Sequence, residues 1–480
     1  MSQQRQSRTW RPHLSGRSGP LYRAIADAIE ADTHSGVLAA GDSLPTQREL
    51  ADSLGVNFTT ITRAYAEARR RGLITARVGR GTFVAEPRLA REDQPEPGIR
   101  DYNLSVNQGP VRPWLTHALK QTLGRLSTDS SVVRNFLSYN SQDGGSPAAR
   151  DAGVLWLERC GVPGTRDRLV IAQGAQHAVS MLLQVLARPG DTMLVEALSY
   201  PGFRSAAQLA GVRIVPVVMD DDGIDPEALE QACRRYSPRL LCCVPTLQNP
   251  TTAIMPLDRR HALINIARRY SLAVIEDDAY GPLALDPPPT LAALAPDLVT
   301  YVGSLSKCVA PGLRTAFLLT PTSADAERLQ AAVRASVLML SPIPIALASA
   351  WIRDGTAERA LNDLRQEMTA RGALARTVLA QYDLSLPSGS LHAWLRLPFS
   401  SSVAAFVARA HQCGVRVAPS DWYVMPPPGD VPTSASLAPS AVPAVRLALG
   451  AEQDRGRVAE ALSRLASILG RPGSLQTSSL

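Results

Sequence analysis

The sequence predicts an α/β protein of two modules: a small helical one at the N-terminus closed by a β-hairpin, and a much larger one built on a mainly parallel sheet. Three observations predict this. The chain has 480 residues, too many for one ordinary core. Residues 19–85 carry helix-period apolar patterns followed by two short strand patterns. From residue 103 onward seven apolar strand-like runs alternate with helical ones: RLVIA, TMLVE, RIVPVV, LLCCVP, LAVIEDD, LVTYVGS and TAFLLT. That alternation marks a parallel sheet, whose ligands sit beyond the strand ends.

The elements follow in order. Residues 1–18 are polar and Arg-rich and read as an arm. Leu21, Ile25, Ala28 and Ile29 then fall on one helix face. In TQRELADSLGVNFTTITRAYAEARRRGL, Thr46 and Glu49 form a capping box that starts a helix burying Leu50, Ala51 and Leu54. Gly55 supplies the turn and Asn57 caps the next helix. Phe58, Ile61 and Tyr65 form its inner face, with Thr59, Thr60, Thr62 and Arg63 toward solvent. Two short helices joined by a Gly turn are the helix-turn-helix pattern, whose second helix enters the major groove. LITARVGRGTFV reads as two strands around Gly79, Arg80 and Gly81, a wing able to reach a DNA backbone or minor groove. Residues 86–101, with three prolines, read as a linker, 102–472 as the large domain, and 473–480 as a tail. A Pro/Ser-rich loop is expected at 425–443.

Composition narrows the function. Net charge is +7, and residues 1–88 hold 13 Arg against 8 acidic residues, so most of the excess sits in the small module. A basic head on a nearly neutral body points to phosphate contact at that end and to a double-stranded DNA partner. No apolar run spans a bilayer, and the first residues carry no signal-peptide core. The expectation is a cytoplasmic protein without membrane contact. The six cysteines match no zinc or disulfide spacing, so no metal is expected and Cys308 reads as packing.

Of the 50 basic side chains only two are lysine, Lys120 and Lys307. Lysine does what arginine cannot: it loses its proton and condenses with an aldehyde. Lys120 lies in a helical stretch and reads as surface. Lys307 lies in GSLSKCVAPGLR, where Ser304, Ser306 and Arg314 can all reach one phosphate. IEDDAY ends a strand with an Asp able to pair with a pyridine nitrogen, and a Tyr three residues on. Asn249 in VPTLQNPTT can reach the same ring's oxygen, QGAQHAV opens a helix suited to a phosphate, and Tyr200 in EALSYPGF offers a flat surface. Arg446 in PAVRLALG suits a carboxylate.

Residues 20–85 resemble, in order, the DNA-binding domain of the GntR family. The resemblance implies that Arg48, Thr59, Thr60, Arg63, Arg80 and Gly81 lie near DNA. Residues 103–470 resemble the fold type I, class I aminotransferases, above all the aminoadipate/kynurenine branch. This implies pyridoxal 5'-phosphate as cofactor, with Lys307 as the lysine that binds its aldehyde. Asp277 would meet the pyridine nitrogen, and Tyr280 and Asn249 the ring oxygen. Ala175, Gln176, Ser304, Ser306 and Arg314 would form the phosphate cup, Tyr200 the stacking surface, and Arg446 the effector-carboxylate contact. Tyr139, in LSYNSQDGGSPAAR, resembles the tyrosine that such dimers lend to the neighbour's phosphate. The fusion as a whole resembles the MocR-type regulators, which implies a head-to-tail homodimer and a transcription factor that senses a small amino compound, or the cofactor itself. Departures from the pattern are Ala175 where a Ser is common, NPTT in place of NPTG, and Ala316 where glycine is usual; they bear on catalytic speed more than on cofactor binding. A bifunctional protein with real aminotransferase turnover is the alternative reading, and the effector, operator and sign of regulation stay open.

Overall fold

The computed structural model describes residues 10–14, 20–34, 37–38, 41–71, 73–77, 81–84, 101–139, 145–398, 402–426 and 443–470. Arg80, residues 86–100 of the expected linker, most of the Pro/Ser-rich loop and the tail lie outside them. The chain divides into two compact units, residues 1–96 and 97–480.

In the first unit helix α1 spans Leu21–His34, α2 Gln47–Leu54 and α3 Phe58–Arg70, with strands β1 (Ser43–Leu44), β2 (Ile74–Arg77) and β3 (Gly81–Val84). Both halves of the capping box form: Thr46 Oγ1 accepts from Glu49 N and Glu49 accepts from Thr46 N. Gly55 ends α2 in the left-handed region, which glycine enters without the Cβ penalty. Asn57 Oδ1 caps α3 by accepting from Thr59 N at 2.9 Å. β2 and β3 pair antiparallel as the hairpin, and β1, too short to be legible, adds a third strand on β3.

Ile25, Ala28, Ile29, Leu50, Ala51, Ile61 and Tyr65 are buried together. Two expected core residues are not: Leu21 is 40% and Phe58 47% exposed. Each is the first residue of its helix. Side chains lean toward the N-terminus, so a first-turn residue projects past the helix end, where here no core waits. Trp10, inside the expected arm, is buried in this core, and its Nε1 donates to Asp32 at 2.8 Å.

In the second unit the seven apolar runs are the seven strands of one sheet. Their order across it is Leu169–Ala172, Ala316–Leu319, Val299–Ser304, Ala273–Asp277, Leu240–Cys243, Thr192–Glu196 and Arg213–Val217. Only Ala316–Leu319 runs against its neighbours. The other six therefore end on one edge. A smaller four-stranded sheet pairs His392–Arg396 with Ala444–Ala448, setting Trp394 opposite Arg446. No helix among the described residues is long and apolar enough to cross a membrane.

One buried cation braces the strand-end loops. Arg260 donates to the carbonyls of Met255, Pro245 and Pro289 and to Thr246 Oγ1, at 2.9–3.2 Å. Beside it, Glu276 accepts from Leu291 N and Ala292 N. Together they hold the turn that carries Asn249 against the strand that ends in Asp277.

Candidate functional site

The shared strand edge gathers the chemistry. Leu169–Ala172 leads into Gly174, Ala175 and Gln176; Thr192–Glu196 into Tyr200; Leu240–Cys243 into Gln248 and Asn249; Ala273–Asp277 ends on Asp277; and Val299–Ser304 ends on Ser304, three residues before Lys307. Arg314 precedes the reversed strand and so reaches the same edge. Backbone topology alone brings together residues far apart in sequence.

Lys307 Nζ donates to the Asn107 carbonyl at 2.6 Å and lies 5.8 Å from the Tyr280 ring centre. Burial, and then the Arg446 charge, pull its pKa down to about 8; Asp277 acts the other way. Asp277 is buried and accepts from Ala279 N at 3.3 Å. Burial, and then the neighbouring Asp278, push it up to about 7. Asp278 instead takes the Tyr301 hydroxyl at 2.7 Å, and Glu276 takes two backbone N–H groups. Glu276 also lies 4.0 Å from the Arg260 guanidinium, so of the three consecutive acids only Asp277 has no side-chain hydrogen bond or ion pair among the described residues. Arg446 donates to Asn249 Oδ1 at 2.8 Å and to the Ser105 carbonyl at 2.7 Å, and lies over the Tyr423 ring.

At the other end of the site, the helix Ala175–Leu186 starts after Gly174 with no side chain capping its first turn. A Cβ on Gly174 would come 2.8 Å from Arg314 Nη2, so glycine permits that approach. Ser304 Oγ accepts from Ser306 N at 3.2 Å. Ser306 Oγ and Gln176 Oε1 are buried without a hydrogen-bond partner among the described residues. Tyr200 stands just before the helix Pro201–Ala210, its ring against Gly202, and is half-buried.

Tyr139 stands apart at 87% exposed, on the surface after the helix Ser130–Leu137. In the first unit Arg48, Thr59, Arg63 and Gly81 are exposed and Thr60 partly so. Arg80 lies outside the described residues.

Five residues at the site went unremarked in the sequence: Ser105, Asn107, Gln248, His392 and Tyr423. Asn107, before Gly109 and Pro110, reads as turn. His392 carried a usable signal, as a polar residue inside the apolar strand HAWLR.

The family model for aminotransferase class I and II matches residues 102–425, and that for bacterial regulatory proteins of the gntR family matches 21–84. The HTH-type transcriptional regulator YdeF of Bacillus subtilis is 32% identical over 87% of this chain and 90% of its own. The chain belongs to the MocR-type transcription regulators. Another relative of this MocR-type chain is the vitamin B6 salvage pathway transcriptional repressor PtsJ of Salmonella typhimurium, 28% identical over 85% of this chain and 90% of its own. Among solved structures, the α-aminoadipate aminotransferase LysN of Thermus thermophilus, complexed with N-(5'-phosphopyridoxyl)-L-leucine, superposes with a TM-score of 0.67 at 26% identity, over 77% of this chain and 92% of that one.

Membership implies dependence on pyridoxal phosphate, and the residues of this MocR-type chain fit that group. A buried carboxylate with no cation partner suits a protonated ring nitrogen. An uncapped helix start beside Arg314 and the partnerless Ser306 hydroxyl suits a phosphate. A partly buried amine with a lowered pKa suits an aldehyde.

Proposed function

We propose that this transcription regulator holds pyridoxal phosphate on Lys307 and switches its grip on operator DNA when a small amino compound enters the same pocket. The observation that carries the proposal is the meeting, at one sheet edge, of the partly buried Lys307 amine, its pKa pulled down to about 8, with the buried Asp277, which has no ion pair among the described residues. When bound, the cofactor supplies an electrophilic carbon and an electron-withdrawing ring. Lys307 binds that carbon, Asp277 keeps the ring nitrogen protonated, and Tyr280 and Asn249 hold the ring oxygen. Tyr200 covers the ring. Ala175, Gln176, Ser304, Ser306 and Arg314 hold the phosphate.

The bound cofactor would offer an effector's amine the same carbon that Lys307 holds, and Arg446 would take the effector's carboxylate. Both terminal nitrogens of Arg446 already have acceptors, in Asn249 and the Ser105 carbonyl. The carboxylate therefore has to share or displace them, which offers a way for occupancy to move the loop carrying Ser105. A switch needs only unequal affinity for two states; a tenfold change corresponds to about 1.4 kcal/mol. The name of PtsJ ties a relative to vitamin B6 and supports a variant in which the cofactor is itself the signal.

The DNA contacts are assigned to Arg48 on α2, to Thr59, Thr60 and Arg63 on α3, to Gly81 at the start of β3, and to Arg80, which precedes it in the sequence. The chain works as a homodimer, head to tail. Phe136, Leu137 and Tyr139, close together in sequence, are all more than half exposed, and exposed large apolar side chains of this kind suit an interface. Tyr139 would then reach the partner's phosphate.

Borohydride reduction of protein mixed with pyridoxal phosphate tests the core of the proposal. One label should be fixed, on the Lys307 peptide, and Lys307→Ala should remove it; label that persists elsewhere would sink the assignment. Aminotransferase turnover is the rival reading. It predicts that a second keto acid regenerates the starting spectrum over many cycles, whereas a regulator needs only the first exchange.

A further inference from the structure

Behind Tyr280 runs a buried chain of hydrogen bonds that the proposed chemistry does not use. The backbone carbonyl of Gln248 faces His392 Nε2 at 3.1 Å. His392 Nδ1 faces Asn107 Nδ2 at 3.0 Å, and that same nitrogen faces the Tyr280 hydroxyl at 3.1 Å. The His392 ring meets the Tyr280 ring edge-on, with centroids 5.4 Å apart. All four residues are buried.

Each proton on this chain has one place to go. The Gln248 carbonyl can only accept, so Nε2 carries the hydrogen. Burial and the Arg446 charge hold the ring neutral, with the pKa down to about 3. A neutral ring with hydrogen on Nε2 presents a lone pair at Nδ1. The Asn107 atom facing it must therefore be the NH2 nitrogen, and its second hydrogen points at the Tyr280 oxygen. Turning the amide over would give the buried, partnerless Asn107 Oδ1 a partner, but it would set lone pair against lone pair at His392. Tyr280 is thus an acceptor on the Asn107 side. Its own hydrogen has no acceptor among the described residues and is free to point elsewhere.

We infer that His392, acting through Asn107, is a positioning residue that makes Tyr280 a hydrogen-bond donor toward the cofactor's ring oxygen. The inference rests on the reading of the Lys307 pocket as a pyridoxal phosphate site. Its consequence is electrostatic. A donor on the ring oxygen draws negative charge away from the linkage nitrogen, so the linkage releases its proton at lower pH. Without His392, the Asn107 amide is free to turn and take the Tyr280 hydrogen for itself.

The test is the pH midpoint of the visible band of protein loaded with pyridoxal phosphate. His392→Phe should raise the midpoint by about one unit, the worth of one hydrogen bond to a charged group. His392→Gln should bring it back, because a Gln amide can donate to Gln248 and accept from Asn107. In a Tyr280→Phe background, His392→Phe should add nothing, since the relay would have no phenol to aim; a merely structural effect would still appear there. Nitrogen chemical shifts of the cofactor-free protein should show His392 neutral with hydrogen on Nε2. Hydrogen on Nδ1, or equal shifts in both backgrounds, would overturn the relay alone. Absence of any visible band in the unaltered protein would overturn the cofactor reading and the relay with it.

Discussion

Lys307 and Asp277 define each other. Burial and Arg446 bring the amine's pKa down to about 8, so a sizeable neutral fraction exists near physiological pH, and burial and Asp278 push the carboxyl up to about 7, with Lys307 acting the other way. A neutral amine is what condenses with an aldehyde, and its fraction falls tenfold per unit below its pKa. The rate at which cofactor-free protein captures pyridoxal phosphate should therefore rise with pH and level off near about 8. Stopped-flow absorbance checks this; a rate still climbing toward the ordinary lysine value of 10.5 would show a solvated Lys307. The lysine was legible because it is one of only two in the chain, and Lys120, the other, lies exposed on a helix. Asn107 and His392 were not legible, because their importance lies in mutual contacts across 285 residues that no local pattern encodes.

At the scale of elements, legibility tracked burial. The seven strands read clearly because sheet strands covered on both faces become continuous apolar runs. The two-residue β1 and the burial of Trp10 did not read, since both depend on partners far along the chain. Phe58 and Leu21 were misplaced for the opposite reason: periodicity assigns a face but does not say where the core ends. Phe58→Ala should accordingly cost the first unit less than about 1 kcal/mol. Ile61→Ala, from a fully buried site, should cost about 2–5 kcal/mol. Thermal unfolding separates them, and equal losses would contradict the exposure of Phe58. In the second unit, Arg260→Ala strips four acceptors and leaves Glu276 uncompensated. It should cost about 3–5 kcal/mol by urea unfolding, and a loss under about 1 kcal/mol would deny the brace its role.

The whole molecule joins a DNA-binding unit to an aminotransferase-like unit, and its regulatory role follows from that fusion. If Arg63 meets a phosphate, Arg63→Ala should lower affinity across all DNA sequences and reduce the slope of log affinity against log salt by about 1. An unchanged slope would put the DNA surface elsewhere. If the Lys307 site and the DNA-binding unit are thermodynamically coupled, one titration shows it. Protein loaded with pyridoxal phosphate is titrated with a panel of amino compounds. The visible band and the binding of a DNA fragment selected by the protein from a random pool are read in the same samples. One compound should shift the band and the DNA affinity over the same concentrations, and Lys307→Ala should abolish both shifts. A band that shifts with every compound while DNA affinity stays constant would contradict the coupling.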